Sequence, residues 1–341
     1  MIVDSYAEIA PAPLVVKDDP MTSRGKKAIK VATYGWLALA LVAVVASAAI
    51  AGADLLTHTP GVHLGDVVKG WDTAVLVPAY WLFVLVIVLA ERKWPAEKRA
   101  GALSSGGAVD LIWLLIAPIF SLTIVSLYLI GLQWLYVNVL QSFSLDMPSL
   151  IGAIPAAILA FLAADFGMWF THFIRHKVPL FWQFHMVHHS QEKMSVLTDN
   201  RVHFVEAMVS ATIVYLPLRL VGLSNEASVV LAFATVFITG FTHANLRTNV
   251  GPLRWIMVTP QSHRVHHSDQ PEHYDHNFGA VLSIWDRIFR TDWKGVDVYP
   301  STGIADPAFP IETNAPWHAA PQIYVQQVAQ PFHRVWTMVR T

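Results

Sequence analysis

The sequence predicts an all-α, polytopic membrane protein: about four transmembrane helices, a membrane-dipping helical hairpin and a cytoplasmic histidine-rich helical cap. Three observations carry that prediction. Of 341 residues, 54% are hydrophobic and only 14% charged, against about 25% charged in an ordinary soluble domain. Several uncharged apolar runs reach the ~20 residues that a helix needs to cross a hydrocarbon layer. Finally, ten of the 16 histidines fall between His172 and His267. The net charge of −1 offers no footprint for nucleic acid. The absence of cysteine excludes disulfides, zinc fingers, iron–sulfur clusters and thiol nucleophiles.

Residues 1–30 mix Pro, Asp and Lys without an apolar core and read as a mobile tail. The run that follows, 31–53 ("VATYGWLALALVAVVASAAIAGA"), carries no charge and is too long for the core of a signal peptide. Further spans are expected at 73–90, 111–140 and 149–170. The 111–140 run is long for one crossing and admits a tilted helix or a tight hairpin. Apolar runs at 205–221 and 227–246, parted by "GLSNE", form the expected hairpin. The chain after about 250 is polar and aromatic and reads as a cap, and "IYVQQVAQPFHRVWTMVRT" at the end can lie along a membrane surface. This gives a tail (1–30), a transmembrane region (31–160), a di-metal domain (161–295) and a C-terminal interfacial tail (296–341).

Orientation follows from positive charge. Arg24, Lys26, Lys27 and Lys30 precede the first span, and Arg92, Lys93, Lys98 and Arg99 follow the second, whereas the loop between holds only Lys69. The positive-inside rule puts both termini and the histidines in the cytoplasm. The setting is a bacterial inner membrane or an endoplasmic reticulum.

The histidines form patterns. His172 and His176 stand at i and i+4, on one face of a helix. "HMVHHS" (185–190) and "HRVHHS" (263–268) each place histidines at i, i+3 and i+4, again on one face. His185, His188 and His189 with His263, His266 and His267 bring the total to eight imidazoles, twice what one tetrahedral zinc uses. Two metal ions are the economical reading. His243, ending the hairpin, can dip into the same site. His203 opens the hairpin with Glu206 one turn on, as a ligand and its partner or as a plain helix entry. Asp165, two turns before His172, is a candidate to accept the second N–H of a ligand histidine. Asp199, Asp269 and Asp275 read as loop carboxylates, Asp275 being also a candidate ligand partner.

No H-E-x-x-H occurs, so the usual zinc hydrolase arrangement is missing. Imidazole suits Fe, Zn and Cu alike, but two cations at a membrane face, within reach of lipid and of a soluble reductant, favour iron and O2. Residues 160–295 resemble the fatty acid hydroxylase/sterol desaturase superfamily in the order and spacing of "D-x6-H-x3-H", "LFWQFHMVHHS", "R-x-H-x2-E", "TPQSHRVHHS" and "NFGAVLSIWDRIF". The pattern is also similar to a pterin-dependent branch, the alkylglycerol monooxygenases. It departs from that branch at His203 and at Lys177, and "IFRT" replaces the usual "FGT".

The resemblance implies a di-iron centre that uses O2 and two electrons to hydroxylate or desaturate a lipid. Its ligands would be His172, His176, His185, His188, His189, His243, His263, His266 and His267, with His203 in addition. Zinc is expected to replace iron readily on purification. Hydroxylation is the leading expectation, desaturation at the same site the alternative, and a zinc-dependent membrane hydrolase the alternative from another class. No electron-carrying domain is legible in the chain, so a cytoplasmic redox protein or a reduced pterin is the expected donor.

Overall fold

The computed structural model describes residues 78–98, 105–222, 235–312 and 315–340. Their main helices are α1 (Pro78–Lys93), α2 (Ser105–Leu115), α3 (Ala117–Leu135), α4 (Ala153–Lys177), α5 (Pro179–His189), α6 (Phe204–Ser210), α7 (Pro260–His266), α8 (Ile284–Ile288) and α9 (Ala320–Arg340). A further helical segment covers 235–243. The described residues form no strand, only isolated bridges such as Pro95 with Leu246, so the all-α expectation holds for them. The tail 1–30, the span 31–53 and the first part of 227–246 lie outside the described residues.

Among the described residues, α4 is the one helix long and apolar enough to cross a membrane. It opens at Gly152, whose φ of 90° lies where a side chain would be strained. Small residues at Ala156, Ala160, Ala164 and Gly167 form its buried stripe, and a Cβ on Gly167 would press on Val214 at 3.2 Å. This stripe lets the segment after α6 pack against it closely.

The 111–140 run is shared between α2 and α3. Ile116, between them, keeps helical dihedrals (φ −103°, ψ −40°) and donates to the Ile112 carbonyl at 2.8 Å. Proline at 118 has no N–H to give, so the helical ladder skips a bond without a chain reversal, and the hairpin alternative does not form. The 205–221 run is broken in a related way: α6 passes into a π-helical turn, Ala211–Tyr215, and then Leu216–Leu220. Pro217 cannot donate to the carbonyl four residues earlier, and the wider turn absorbs the missing bond.

Two cores flank the histidines. On one side α2, α5 and α9 bury Trp113, Met186, Val187 and Tyr324 together, and the Trp113 indole N–H donates to Gln327 at 2.9 Å. On the other, α3 and α6 bury Tyr128, Leu132 and Met208. Behind α5, the guanidinium of Arg201 is fully buried. It donates to Asp110, to Glu312 at 2.6 Å, to the Gly106 carbonyl at 3.1 Å and to Ser190 Oγ at 3.1 Å. A Cβ on Gly106 would press on the Gln191 side-chain amide, which donates to Asp110 at 2.8 Å.

Candidate metal centre

Four stretches of chain deliver nine histidines to one interior region. His172 and His176 close the last turns of α4. A single extended residue, Val178 (φ −102°, ψ 111°), separates α4 from α5, which starts on Pro179. That sharp corner sets His185, His188 and His189 opposite the end of α4. His243 ends the segment 235–243. α7 begins with a reciprocal cap in which the Thr259 hydroxyl accepts from the Ser262 N–H (3.1 Å) and Ser262 Oγ from the Thr259 N–H (2.9 Å). Pro260 follows at the first helical position, where its missing N–H is harmless. This start aims His263, His266 and His267 at α5.

The nine imidazoles fall into two groups. His172, His176, His185, His189 and His266 form one; His188, His243, His263 and His267 form the other, and within each group the donor atoms lie within 4.8 Å of one another. Nε2 atoms meet at 3.1 Å between His176 and His189 and between His189 and His266. In the second group they meet at 3.0 Å between His188 and His243, 2.9 Å between His243 and His263, and 3.2 Å between His263 and His267.

The outer nitrogens explain which atoms face inward. Nδ1 of His172 donates to the Phe278 carbonyl at 2.9 Å, Nδ1 of His266 to the His276 carbonyl at 2.8 Å, and Nδ1 of His243 to the Thr239 carbonyl at 2.7 Å. Nδ1 of His185 donates to Glu206 Oε2 at 2.6 Å. A neutral imidazole has one N–H, so each of these four turns a bare Nε2 lone pair to the interior. Nε2 of His172 and of His185 is buried without a hydrogen-bond partner.

Burial, reinforced by neighbouring imidazoles, pushes His188, His189, His263 and His267 well below the usual histidine range. Burial takes His266 down to about 3, against a small opposing pull from the His276 carbonyl. Burial also lowers His185, opposed by the Glu206 carboxylate. These rings are neutral at pH 7, the state in which imidazole binds a metal.

The donor set fits two cations. Two donors ~2.1 Å from one ion stand about 3.0 Å apart at a right angle and about 3.4 Å apart at the tetrahedral angle. The edges of 2.9–3.2 Å lie in the range that neighbouring ligands of one ion adopt, so each group could hold a cation.

Three sequence expectations need correction. His203 is outside both groups: its Nδ1 accepts from the Val205 N–H at 3.2 Å and its Nε2 donates to the Val328 carbonyl at 3.2 Å, so neither nitrogen is free for a metal. Asp165 touches no histidine. Its carboxylate accepts the N–H groups of Val281 and Leu282 at 3.1 Å and the indole of Trp285 at 2.8 Å. Asp275 is exposed and pairs with Lys177 at 2.7 Å, beside His176 in sequence but bound to no imidazole. Glu206 sits where a ligand's partner belongs, on His185. Sequence reasoning missed the carbonyls of Phe278, His276 and Thr239, and Asp199, whose Oδ1 lies 3.3 Å from His243 Nδ1. Backbone acceptors leave no signature in composition, and the 40-odd residues between Asp199 and His243 hide that pair from any spacing rule.

Comparison with known proteins bears on the same stretch. Residues 157–291 match the family Fatty acid hydroxylase. That segment is similar to fatty acid hydroxylase domains. The chain is 33% identical over 134 residues to ornithine lipid hydroxylase OlsE of Rhizobium tropici, covering 39% of this chain and 40% of that protein. It is 36% identical over 133 residues to alkylglycerol monooxygenase of Xenopus tropicalis, covering 39% of this chain and 29% of that protein. It is 37% identical over 132 residues to the Homo sapiens alkylglycerol monooxygenase, with the same shares covered. These relatives are lipid hydroxylases and monooxygenases, hence oxidoreductases. The chain thus spans 40% or less of the length of the relatives it matches. No solved structure matches it. The domain's limits enclose all nine gathered histidines and the 278–289 segment that braces His172.

Proposed function

We propose that the chain is a membrane-bound di-iron oxygenase that hydroxylates a lipid with O2 and two electrons. The observation that carries this reading is the pair of closely gathered, largely buried imidazole groups inside a segment shared with lipid hydroxylases. Two irons, when bound, would supply O2 reduction and insertion of oxygen into a C–H bond. His172, His176, His185, His189 and His266 would hold one, and His188, His243, His263 and His267 the other.

The chain's own residues do the rest. Glu206, the carbonyls of Phe278, His276 and Thr239, and Asp199 fix the tautomer of four ligands and raise their basicity. Phe278 packs edge-on to His172 and His176, with ring centroids 5.8 and 5.1 Å away. Trp182 covers His176 and His189 from another side at 5.0 and 5.4 Å. These apolar walls exclude water from the five-histidine group and suit an acyl or alkyl chain. The relatives act on an ornithine lipid and on alkylglycerols, so a glycerol- or amino-acid-based membrane lipid is the substrate class favoured here. Positive charge flanking the first two expected spans supports a multi-pass topology with the histidines and both termini in the cytoplasm. Electrons would then come from a cytoplasmic redox protein or a reduced pterin.

The test is metal content followed by isotope incorporation. Protein purified after growth in iron should carry two irons per chain, and His188→Ala should lose the one held by the four-histidine group. Turnover with 18O2 should leave label in a lipid hydroxyl group. An unlabelled double bond would replace hydroxylation with desaturation, and a single zinc without iron would sink the oxygenase reading.

A further inference from the structure

The segment after about 250, expected to be a polar cytoplasmic cap, carries a large exposed apolar surface. Leu253, Trp255 and Ile256 on one turn, and Ile284, Ile288 and Phe289 on and just after α8, all face outward. The surface is continuous with the outer side of α4. Phe166 and Phe170 are exposed there, and Phe166 meets Trp285 at 5.2 Å and Phe289 at 5.9 Å between ring centroids.

Its depth along α4 matters. Trp285 reaches Asp165 and Phe166, six to seven residues before His172. At 1.5 Å per residue that is about 10 Å further along the helix from the histidines. If α4 crosses a bilayer with its histidine end at the surface, Trp285 and Phe289 lie at the level of the acyl chains. Irregular backbone survives at such depth only when its polar groups are answered within the protein.

Here they are. Two buried carboxylates take the loop's amides: Asp165 accepts from Val281, Leu282 and the Trp285 indole, and Asp286 accepts from Phe278 and Gly279 at 2.8 Å and from the Trp169 indole at 2.9 Å. Val258 N–H donates to the Val281 carbonyl and Ser283 N–H to the Ile256 carbonyl, both at 2.9 Å. The Ser283 hydroxyl and Arg287 both donate to the Arg254 carbonyl, at 3.0 and 2.9 Å. The guanidiniums of Arg254 and Arg287 flank the Trp255 ring at 5.2 and 4.3 Å, a grouping suited to the headgroup level.

We propose that residues 253–257 and 284–289 form a wedge embedded in the lipid bilayer beside α4, its occupant being membrane lipid and not water or a second protein. The proposal rests on the reading of α4 as a crossing helix. A chain without cysteine makes the test clean. Single variants Ile256→Cys and Ile288→Cys, at positions 60% and 57% exposed, would be placed in phosphatidylcholine nanodiscs, which leave both aqueous faces open. Lys294→Cys, whose native side chain is 82% exposed, serves as the aqueous reference. Ile158→Cys on α4, 55% exposed, serves as the lipid reference.

A charged maleimide should modify positions 256 and 288 at least tenfold more slowly than 294, and as slowly as 158. A bimane fluorophore at 256 or 288 should be quenched by lipids carrying a nitroxide on the acyl chain. Rapid modification at 256 and 288 with 158 still protected would overturn the wedge alone. Rapid modification at 158 as well would remove the crossing helix and the wedge with it. Protection at 256 and 288 without lipid quenching would mean that protein covers the surface, which also overturns the proposal.

Discussion

At the scale of single residues, the centre depends on atoms one bond away from the donors. The Glu206 carboxylate receives the His185 N–H at 2.6 Å and lies 3.5 Å from Arg175 Nη1. Glu206→Gln keeps an acceptor but loses the charge that makes His185 a strong donor. We expect metal affinity to fall by about 10–100-fold in a chain that still folds, read as metal retained across a chelator titration. Asp275→Asn, which disturbs only the pair with Lys177, should leave the titration unchanged. The contrast between these two carboxylates shows what spacing along a sequence reveals. The i, i+3, i+4 rule placed His185, His188 and His189 together because it follows from helix geometry alone. Which carboxylate backs which ring depends on how separate helices meet, and Asp165 and Asp275 were misplaced for that reason.

At the scale of elements, His203 shows a histidine serving its helix. It caps α6 through Nδ1 while Glu206 reaches back to its N–H, and Phe184 and Phe332 crowd its ring at 5.0 and 5.4 Å. Burial drops it to about 4 from the usual 6.5. The native protein therefore keeps His203 neutral at pH values where the unfolded chain binds a proton. Its contribution is whole above about pH 6.5 and is lost as pH falls towards 4, amounting to about 2 kcal/mol by pH 5. His203→Asn retains a capping side chain and should show a shallower fall in Tm between pH 7.5 and 5 than the parent; equal slopes would refute this. The helices themselves were largely legible, since apolar runs and cap residues are local. The breaks were less so: the proline at 118 leaves the chain running on, whereas Pro217 is preceded by a π-helical turn that packs against α4, a contact that no local pattern shows.

At the scale of the whole molecule, Arg201 ties distant parts together. It joins α2 through Asp110, the end of α5 through Ser190 and the C-terminal region through Glu312, with Gln327 of α9 donating to the same Ser190 at 3.3 Å. Arg201→Met would leave two carboxylates buried without a counter-charge. We expect a loss of about 3–5 kcal/mol, seen as a lowered Tm in detergent and rapid proteolysis within 306–340. Arg201→Lys should recover little, because a single ammonium cannot reproduce a fork that serves four acceptors.

The two histidine groups have a consequence in polymer terms. One joins His189 to His266, 77 residues apart, and the other joins His188 to His243, 55 apart. A cation in either group is a cross-link that closes a long loop, which in a chain-entropy description is worth about 4 kcal/mol, as for a disulfide of that span. A protein that has no cysteine would thus be stapled by the metals its histidine groups could hold, and stripping them should loosen the chain much as reduction loosens a secreted one.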